Sequence, residues 1–427
     1  MESENNLFDL GKEINLPIWD IIRYSVYVKY YYPEKDREKL SQSPKRNISD
    51  YFKLSFKVFP FIFGILINRK KNVVLTASRY LNDKGEFFDK SALPILKALD
   101  GKFLVFEPIF VKKMAYSYLY DFSNLFRKFY KTDSFPMEYW TKLDRVLSEN
   151  LETNLITYDE INSIIQIFKS DHFFYKTLFK ILKNKNLIIC TGNPKACILA
   201  AKDLNINSYL VQHAGIEIDE IDYSYCAGIT TESPVLFADY VLTFGDYWCK
   251  NLNVPTKKII PIGNDFFSSR PNAELDDSIL VVSTIVHGDE LRKLTLTMAY
   301  ERPDLKIIYK LHPNEFHLKA EYIEYFKTIS NVNIITNEID TSVLIAKSQL
   351  VVLIVSAVIY EALNQNKKVA VFKKINYERQ LHLINCPNLY FFDFPQDVFD
   401  ILSMNKQVSS FDFYKKSDVG LIKALFE

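Results

Sequence analysis

Two histidines follow apolar runs of the kind that form buried β-strands. His312 comes shortly after residues 305–309 and precedes Pro313, while His213 comes shortly after residues 206–211. Because proline fixes its own φ angle and disfavours helical geometry in the residue before it, we expect the strand to stop at His312. Ligands of open α/β sheets bind at the carboxyl ends of strands. The two imidazoles therefore suggest two sheet domains that face one cleft.

Phosphate binding is the chemistry that His312 could perform. An imidazole donates a hydrogen bond to a phosphate oxygen and, when protonated, offsets its charge. Lys310 lies two residues earlier, on the same face of the predicted strand, and could add a second cation. The alternative is structural, with His312 satisfying backbone groups and Lys310 in solvent. These residues alone do not decide between the two interpretations.

Hydroxyl groups end two further apolar runs. Ser283 and Thr284 close the run that begins at residue 279 and could contact phosphate or sugar, although Thr284 is equally a turn residue. Ser356 follows residues 350–355 and opens a predicted helix, where it is an N-cap, part of an anion site, or both. Glu361 lies within that helix, where it is either an exposed carboxylate or a contact for a bound ligand.

Composition limits the classes of protein to consider. Charged residues make up 25% of the 427-residue chain and the formal net charge is +1, so no global attraction to nucleic acid is expected. The five cysteines contain no CxxC pair and are expected to be reduced. The first residues are polar and acidic, unlike a secretory signal.

The segment most like a membrane span, residues 54–67, contains Lys57 and is shorter than the roughly 20 apolar residues that a membrane-spanning helix needs. With the basic residues 69–71 behind it, this stretch is either a buried helix or a segment on an anionic membrane surface. We favour the buried helix. We therefore expect a cytoplasmic protein, with peripheral contact at the inner face of the membrane as the alternative.

Apolar runs alternate with helical patterns along most of the chain, which predicts parallel sheets covered on both faces. Residues 268–278 show no periodicity and separate two such regions. We predict an N-terminal Rossmann-like domain with helical additions, residues 1–270, and a C-terminal Rossmann-like domain, residues 271–427. The predicted strands are 73–76, 103–106, 187–190, 206–211, 238–245, 258–263, 279–284, 305–309, 332–335, 350–354, 369–372 and 389–392.

Four segments carry a family resemblance: residues 211–215, 238–245, 310–313 and 356–361. Together with the two Rossmann-like halves, they resemble the GT-B glycosyltransferases of bacterial capsule and lipopolysaccharide synthesis. The relevant relatives are sialyl- and Kdo-type transferases and the glycerophosphotransferases of teichoic-acid synthesis. The sialyltransferase pattern has two acids before a glycine, whereas Asp100 is the single acid before Gly101 here. We interpret Asp100 as the end of a helix that Ser91 caps.

The resemblance implies that the C-terminal domain holds a nucleotide-linked donor and the N-terminal domain holds the acceptor. It implies a nucleotide and phosphate site made of His312, Pro313, Lys310, Ser283, Thr284, Ser356 and Glu361, with Glu361 at the ribose or base. It also implies a base that deprotonates the acceptor. His213 is the strongest candidate, and Gly215 just after it would let the backbone come close to a ligand. Glu217 is another candidate, with a merely exposed charged loop as the alternative, and Asp89 is the third. The sequence leaves this choice open.

We therefore expect an inverting transferase that moves a sialic-acid-like or Kdo-like sugar from a CMP-linked donor to a glycan or lipid-linked glycan. No Asp-x-Asp motif is evident, so we expect metal-independent chemistry without a cofactor, in which lysine and histidine take the cation's role. The alternatives are a CDP-polyol phosphotransferase of teichoic-acid type, a sugar-nucleotide epimerase, and a catalytically inactive GT-B-like scaffold in polysaccharide assembly.

Overall fold

The computed structural model describes residues 7–8, 11, 16–31, 64, 71–77, 80–82, 84–108, 113–151, 156–216, 220–374, 376–407 and 411–427. Most of the apolar stretch 54–67 with its basic flank, and the candidate base Glu217, lie outside these residues. Among the helices that the structure describes, none is long and apolar enough to cross a membrane.

A parallel sheet of seven strands forms the core of the first domain. The strands of this half are β1 (Asn72–Leu75), β2 (Tyr80–Leu81), β3 (Phe87–Phe88), β4 (Phe103–Glu107), β5 (Leu119–Tyr120), β6 (Asn186–Ile189), β7 (Asn207–Val211), β8 (Tyr240–Thr243) and β9 (Lys258–Pro261). The strand order is β5-β4-β1-β6-β7-β8-β9, and β2 and β3 form a separate antiparallel hairpin. Strands β1 and β6 are buried along their whole length, as a sheet covered on both faces requires.

Helices cover both faces of this sheet. They are α1 (Ile18–Tyr31), α2 (Leu93–Leu99), α3 (Ser123–Phe126), α4 (Met137–Leu151), α5 (Tyr158–Leu182), α6 (Lys195–Asp203), α7 (Asp246–Asn251) and α8 (Asp265–Ser268). The longest of them, α5, begins with a capping box in which the side chains of Thr157 and Glu160 each accept a hydrogen bond from the other's backbone. It ends at Lys183, whose backbone is left-handed.

The second domain repeats the same plan with six parallel strands in the order β12-β11-β10-β13-β14-β15. These are β10 (Ser278–Val282), β11 (Lys306–Lys310), β12 (Val332–Ile335), β13 (Leu350–Leu353), β14 (Lys368–Phe372) and β15 (Leu389–Phe392). The helices are α9 (Gly288–Glu301), α10 (Lys319–Tyr325), α11 (Thr341–Lys347), α12 (Val358–Asn364) and α13 (Pro395–Ser403), with 3₁₀ helices at Pro313–Leu318 and Tyr377–Leu383.

Both large sheets are doubly wound. Leaving out the hairpin, the strands of each domain in chain order lie in the spatial order 3-2-1-4-5-6, extended by one strand in the first domain. This is the Rossmann arrangement, and its binding crevice lies where the strand order reverses, at the carboxyl ends of strands 1 and 4. Two such domains form the GT-B architecture, so the predicted fold class is confirmed.

The strand predictions locate the cores of the elements but extend several of them too far. The run predicted for residues 238–245 is a strand only at Tyr240–Thr243, because the apolar residues around it pack in loops. The β2–β3 hairpin and β5 were not predicted, since each of these strands has only two residues. Asp100 ends α2 as expected, with a φ angle of 42°. Ser91, predicted to cap α2, is not the N-cap.

The chain crosses between the domains a second time near its end. The prediction assigned all residues after 270 to the second domain, whereas helix α14 (Val419–Phe426) packs against α2 of the first. The backbone amide of Lys415 donates to the carbonyl oxygen of Phe244, and that of Asp418 donates to Ile262. Helix α14 therefore belongs to the N-terminal domain, and the residues just before it run from the second domain to the first.

Two glycines let this crossing segment lie directly on the first domain. A Cβ atom at Gly245 would lie 2.3 Å from the carbonyl oxygen of Phe413, and one at Gly263 would lie 2.0 Å from that of Lys416. Gly263 also has a φ angle of +74°, which L side chains rarely adopt. The indole nitrogen of Trp248 donates to the same Phe413 oxygen at 2.8 Å.

We predict that Gly263→Ala lowers the thermal unfolding midpoint and releases the crossing segment, because the new methyl group collides with the Lys416 backbone. The matched control is Gly228→Ala, which has a φ angle of +91° and no atom within 4 Å of the place that its methyl group would take. The control should cost about 1–2 kcal/mol from backbone strain alone. Gly263→Ala should lower the unfolding midpoint more than the control does, and trypsin should cleave it faster after Lys415. Equal midpoints for the two variants would contradict the close packing of the crossing segment on Gly263.

Candidate functional site

The candidate donor site lies at the point where the strand order of the second sheet reverses. Strands β10 and β13 are neighbours there, with β11 on the outer side of β10. Ser283 directly follows β10, His312 follows β11 by two residues, and Ser356 follows β13 by three. Because these strands are parallel, the structure brings all three side-chain positions to one edge of the sheet.

His312 is the N-cap of the 3₁₀ helix Pro313–Leu318. Its Nδ1 atom accepts a hydrogen bond from the backbone amide of Asn314 at 3.2 Å, and its own amide donates to Glu315 Oε2 at 3.0 Å. Pro313 occupies the first helical position, where its missing N–H is not needed. Because Nδ1 is an acceptor, the neutral ring carries its proton on Nε2, which makes Nε2 the donor side. The structural interpretation and phosphate binding are thus compatible.

Ser283 and Thr284 make local hydrogen bonds at the end of β10. The buried Ser283 hydroxyl accepts from Tyr309 Oη at 3.3 Å, and its backbone amide donates to the carbonyl oxygen of Lys310 at 2.9 Å. Thr284 Oγ1 accepts from the amide of His287 at 3.3 Å, just before α9, as a turn residue would. Ser283 therefore ties β10 to β11 beneath the His312 loop.

Lys310 is a buried cation. The residue is 6% exposed, and its ammonium group donates to the carbonyl oxygen of Leu311 at 3.1 Å. The same nitrogen lies 4.9 Å from the centre of the Phe316 ring. Burial lowers the pKa of Lys310 to about 8, although the nearby carboxylates Glu338 and Asp340 oppose that shift. The alternative of a solvated lysine is therefore wrong.

Helix α12 carries two further candidates. Ser356 was predicted as a possible N-cap, but the N-cap of α12 is Ala357, and Ser356 lies one residue before it. The Ser356 Oγ atom still accepts from the backbone amide of Val358, the first helical residue, at 3.3 Å. Glu361 is half-buried, and loss of hydration raises its pKa to about 7, with Lys90 lowering it and Asp340 raising it. Glu361 is consequently not an ordinary surface carboxylate of the helix, and its charge changes near neutral pH.

Lys90 and Asp340 join the two domains and were not predicted from the sequence. The Lys90 ammonium group lies 2.9 Å from Asp340 Oδ2 and 4.0 and 3.9 Å from the ring centres of Tyr80 and Phe266. Burial raises the pKa of Asp340, but Lys90 and the hydrogen bonds from Ser342 outweigh it, so the pKa lies below its ordinary value. The available signals were the position of Lys90 beside Asp89 and of Asp340 just before the helical pattern of residues 342–347.

The loop that carries His213 is held by the residue before it. Gln212 is fully buried, and its amide nitrogen donates to the carbonyl oxygen of Ala214 at 2.8 Å. Its amide oxygen accepts from the backbone of Phe244, also at 2.8 Å. The Ser91 hydroxyl donates to the carbonyl oxygen of His213 at 3.4 Å. The structure thus brings the loops of the candidate bases His213 and Asp89 together.

Asp89 organises its own loop. One carboxylate oxygen accepts from the amide of Ala77 at 3.0 Å, and the other accepts from those of Ser91 and Ala92 at 2.8 and 3.3 Å. These bonds join the end of β1 to the start of α2, in place of the predicted cap by Ser91. The carboxylate has a clear structural role, and a catalytic role for Asp89 stays a prediction.

The His213 loop also contacts the second domain. A Cβ atom at Gly215 would lie 2.4 Å from Cδ2 of Tyr360, the residue before Glu361. This glycine was expected to admit a ligand, whereas the structure shows it admitting an aromatic ring of the other domain. The His213 loop therefore lies directly against α12, the helix that carries Ser356 and Glu361 near its start.

Sequence similarity to a known family covers the candidate donor site. Residues 276–380 match the family described as capsule polysaccharide biosynthesis protein, a span that begins just before β10 and ends within the second 3₁₀ helix. The match includes every candidate of the nucleotide site and Asp340. No curated protein sequence matches the chain.

Solved structures with a similar fold include three enzymes of GT-B type. The UDP-GlcNAc 2-epimerase of Methanocaldococcus jannaschii shares 14% identity over 83% of this chain and 99% of its own, with a TM-score of 0.48. MurG of Acinetobacter baumannii shares 13% over 84% and 99%, with a TM-score of 0.46. The wall teichoic acid polymerase TagF shares 10% over 89% and 91%, with a TM-score of 0.45. Likeness at this level carries no assignment of activity.

We predict that Glu361→Gln stabilises the protein at pH 8 and has little effect at pH 5. The folded-state pKa of about 7 exceeds the ordinary 4.5, so the stability linked to protonation is complete below pH 4.5 and is lost as the pH rises through 7. Glutamine mimics the neutral acid, and its advantage at pH 8 is at most about 3 kcal/mol. Thermal unfolding at both pH values tests this, with the exposed Glu321→Gln as control. A pH-independent difference between wild type and Glu361→Gln would contradict it.

Proposed function

We propose that the protein is an inverting glycosyltransferase of bacterial surface-polysaccharide synthesis that uses a nucleotide-sugar donor. One observation carries the proposal: His312, Lys310, Ser283 and Ser356 lie at or just after the carboxyl ends of the strands at the switch point of the second sheet, inside the span that matches the capsule family. An imidazole with Nε2 as donor, a buried ammonium group and two hydroxyls are groups that bind phosphate.

The donor in this proposal is a CMP-linked sugar of sialic-acid or Kdo type. Its phosphate would be held by His312 and Lys310, with Ser283 and Ser356 beside them, and Glu361 would contact the ribose or base. Positive charge at this position stabilises the phosphate that leaves with the nucleotide. Lysine and histidine would supply that charge without a metal ion, which keeps the reaction independent of cofactors.

The acceptor in this proposal is a glycan or lipid-linked glycan bound by the first domain. His213 is the proposed base, because its loop contacts α12 of the donor domain. The carboxylate of Asp89 already accepts three backbone amides, which supports a positioning role for it. Deprotonation of the acceptor hydroxyl by His213 would prepare its oxygen to attack the anomeric carbon of the donor.

We predict that CMP raises the melting temperature of the wild type by mass action and that His312→Ala abolishes the shift. Turnover should fall at least roughly a hundredfold, the scale of losing one charge-stabilising donor. Because alanine also removes the helix cap, His312→Asn is the sharper variant, since its side chain can accept the Asn314 amide but lacks Nε2. His317→Ala, an exposed histidine of the same 3₁₀ helix, is the matched control.

The nucleotide panel should also include CDP, UDP, GDP and dTDP. A shift with CDP alone, together with a phosphodiester in the product, would replace the proposal by a CDP-polyol phosphotransferase. Turnover of a sugar nucleotide without acceptor would replace it by an epimerase. Nucleotide binding that persists in His312→Asn would remove His312 from the site, and no shift with any nucleotide would favour the inactive scaffold.

Nucleotide affinity should fall as the pH rises from 7 to 9. With a pKa of about 8, Lys310 is mostly charged at pH 7 and mostly neutral at pH 9. Loss of this cation should raise the dissociation constant by up to about tenfold over that range. Lys310→Arg, which stays charged, should flatten the profile, whereas Lys306→Arg at the exposed start of β11 should not. Titration calorimetry at pH 7, 8 and 9 measures this, and parallel profiles for wild type and Lys310→Arg would refute the role of Lys310.

A further inference from the structure

A cavity of about 340 Å³ opens at the switch point of the first sheet, where β1 and β6 are neighbours. Thr76 after β1, Thr191 after β6 and the first residues of α6 form its inner end. None of the residues proposed above for donor or acceptor chemistry lines it, and its lining belongs entirely to the first domain. The crevice at this position is where a doubly wound domain binds ligands.

One wall of the cavity is polar and already ordered. Arg127 donates two parallel hydrogen bonds to Asp171, from Nε to Oδ1 at 2.6 Å and from Nη2 to Oδ2 at 2.5 Å. Asp121 accepts from Tyr175 Oη at 2.5 Å and from the amide of Ser123 at 2.9 Å. Asp121 and Asp171 are 5% and 9% exposed. All of these residues line the cavity.

Stability alone does not explain why these charged groups are buried. Desolvating an ion pair costs so much that well-packed apolar residues in its place are often equally stable or more so. Here the carboxylates and the guanidinium group stand beside a cavity instead of in a filled core. Their lone pairs and N–H groups are therefore placed to exchange hydrogen bonds with hydroxyl groups of a ligand.

The remaining walls are apolar, and both cations of the lining are paired with carboxylates. The apolar wall consists of Ile21, Leu75, Phe106, Ile164, Ile167 and Phe168. Arg127 is paired with Asp171, and the other cation of the lining, Lys195, is bonded to Asp20 at 3.1 Å. Since these cations are compensated by carboxylates, the cavity suits a neutral ligand better than an anionic one. A sugar ring, with hydroxyls at its rim and C–H groups on its faces, has this character.

The cavity adjoins the acceptor side of the cleft. Thr76 lines it, and the next residue, Ala77, donates its amide to Asp89 at 3.0 Å. The Asp89 loop in turn contacts His213 through Ser91. A chain of two or more sugars could therefore reach from the cavity toward the proposed base. The volume lies at the lower end for ligand pockets, which suits roughly one or two sugar rings.

We propose that this cavity binds a neutral sugar of the acceptor glycan, with Arg127, Asp171 and Asp121 as hydrogen-bonding partners and the aliphatic residues of α5 and Phe168 against the ring face. The identification of this sugar as part of the acceptor rests on the proposed function. The binding site itself does not, because it is defined by the cavity and its polar wall.

The test uses saturation-transfer NMR with methyl glycosides of glucose, galactose, N-acetylglucosamine and N-acetylgalactosamine, added singly to the full chain. Ile167→Trp fills the mouth of the cavity from a side chain that is 41% exposed. Ile181→Trp is the matched control, since it lies on α5, is 45% exposed and does not line the cavity. At least one glycoside should bind the wild type and the control, with affinity reduced at least about tenfold in Ile167→Trp.

A second variant examines the polar wall. Arg127→Lys keeps a cation opposite Asp171 but loses the planar pair of donors, and it should also weaken the glycoside signal. Absence of binding by all four glycosides, or equal binding in Ile167→Trp and Ile181→Trp, would overturn the inference. The CMP thermal shift, measured on the same samples, separates this result from the proposed function, because blocking the cavity should leave donor binding unchanged.

Discussion

One short segment contacts both domains and holds them in a defined relative position. The carbonyl oxygen of Phe413 lies where a side chain at position 245 would be, and it accepts the indole hydrogen bond of Trp248. On the other side, the amide oxygen of Asn364 in the second domain accepts from the backbone amides of Phe413 and Tyr414. The chain therefore connects the sheets twice, which limits how far their carboxyl edges can separate and keeps the cleft a defined site.

Charged groups are concentrated at that cleft although burial makes them costly. Lys90 crosses to Asp340, and both lie close enough to Glu361 to influence its ionisation. The two partners of a purely structural ion pair satisfy each other. Here Lys310 and Glu361, whose pKa values lie near neutral pH, also lie close to the Lys90–Asp340 pair. Clusters of this kind are typical of sites where charge is bound or moved. The Lys90–Asp340 pair is also a direct contact between the domains, so the charge of this cluster and the closeness of the two domains depend on each other.

The fold was predictable from the sequence because continuous apolar runs alternate with helical patterns, and both properties are local. The positions of His312 and Ser283 followed from the same patterns, since each ends such a run. Lys90 and Asp340 did not, because 250 residues separate them and only the packed domains bring them together. The crossing segment was missed for a similar reason, since the short helix α14 shows nothing in its own sequence of which domain it packs against. Gly215 was recognised as a point of close approach, but its neighbour, Tyr360, could be identified only in the folded chain.

The return of residues 411–427 to the first domain also has a consequence for biosynthesis. The second domain, from β10 to α13, is continuous in the chain and can fold as soon as it has emerged from the ribosome. The first domain is discontinuous, since α14 is translated only after the whole of the second domain. Until then the faces of α2 and Tyr209 that α14 covers lack this partner. The domain that is synthesised first is thus the last to be finished.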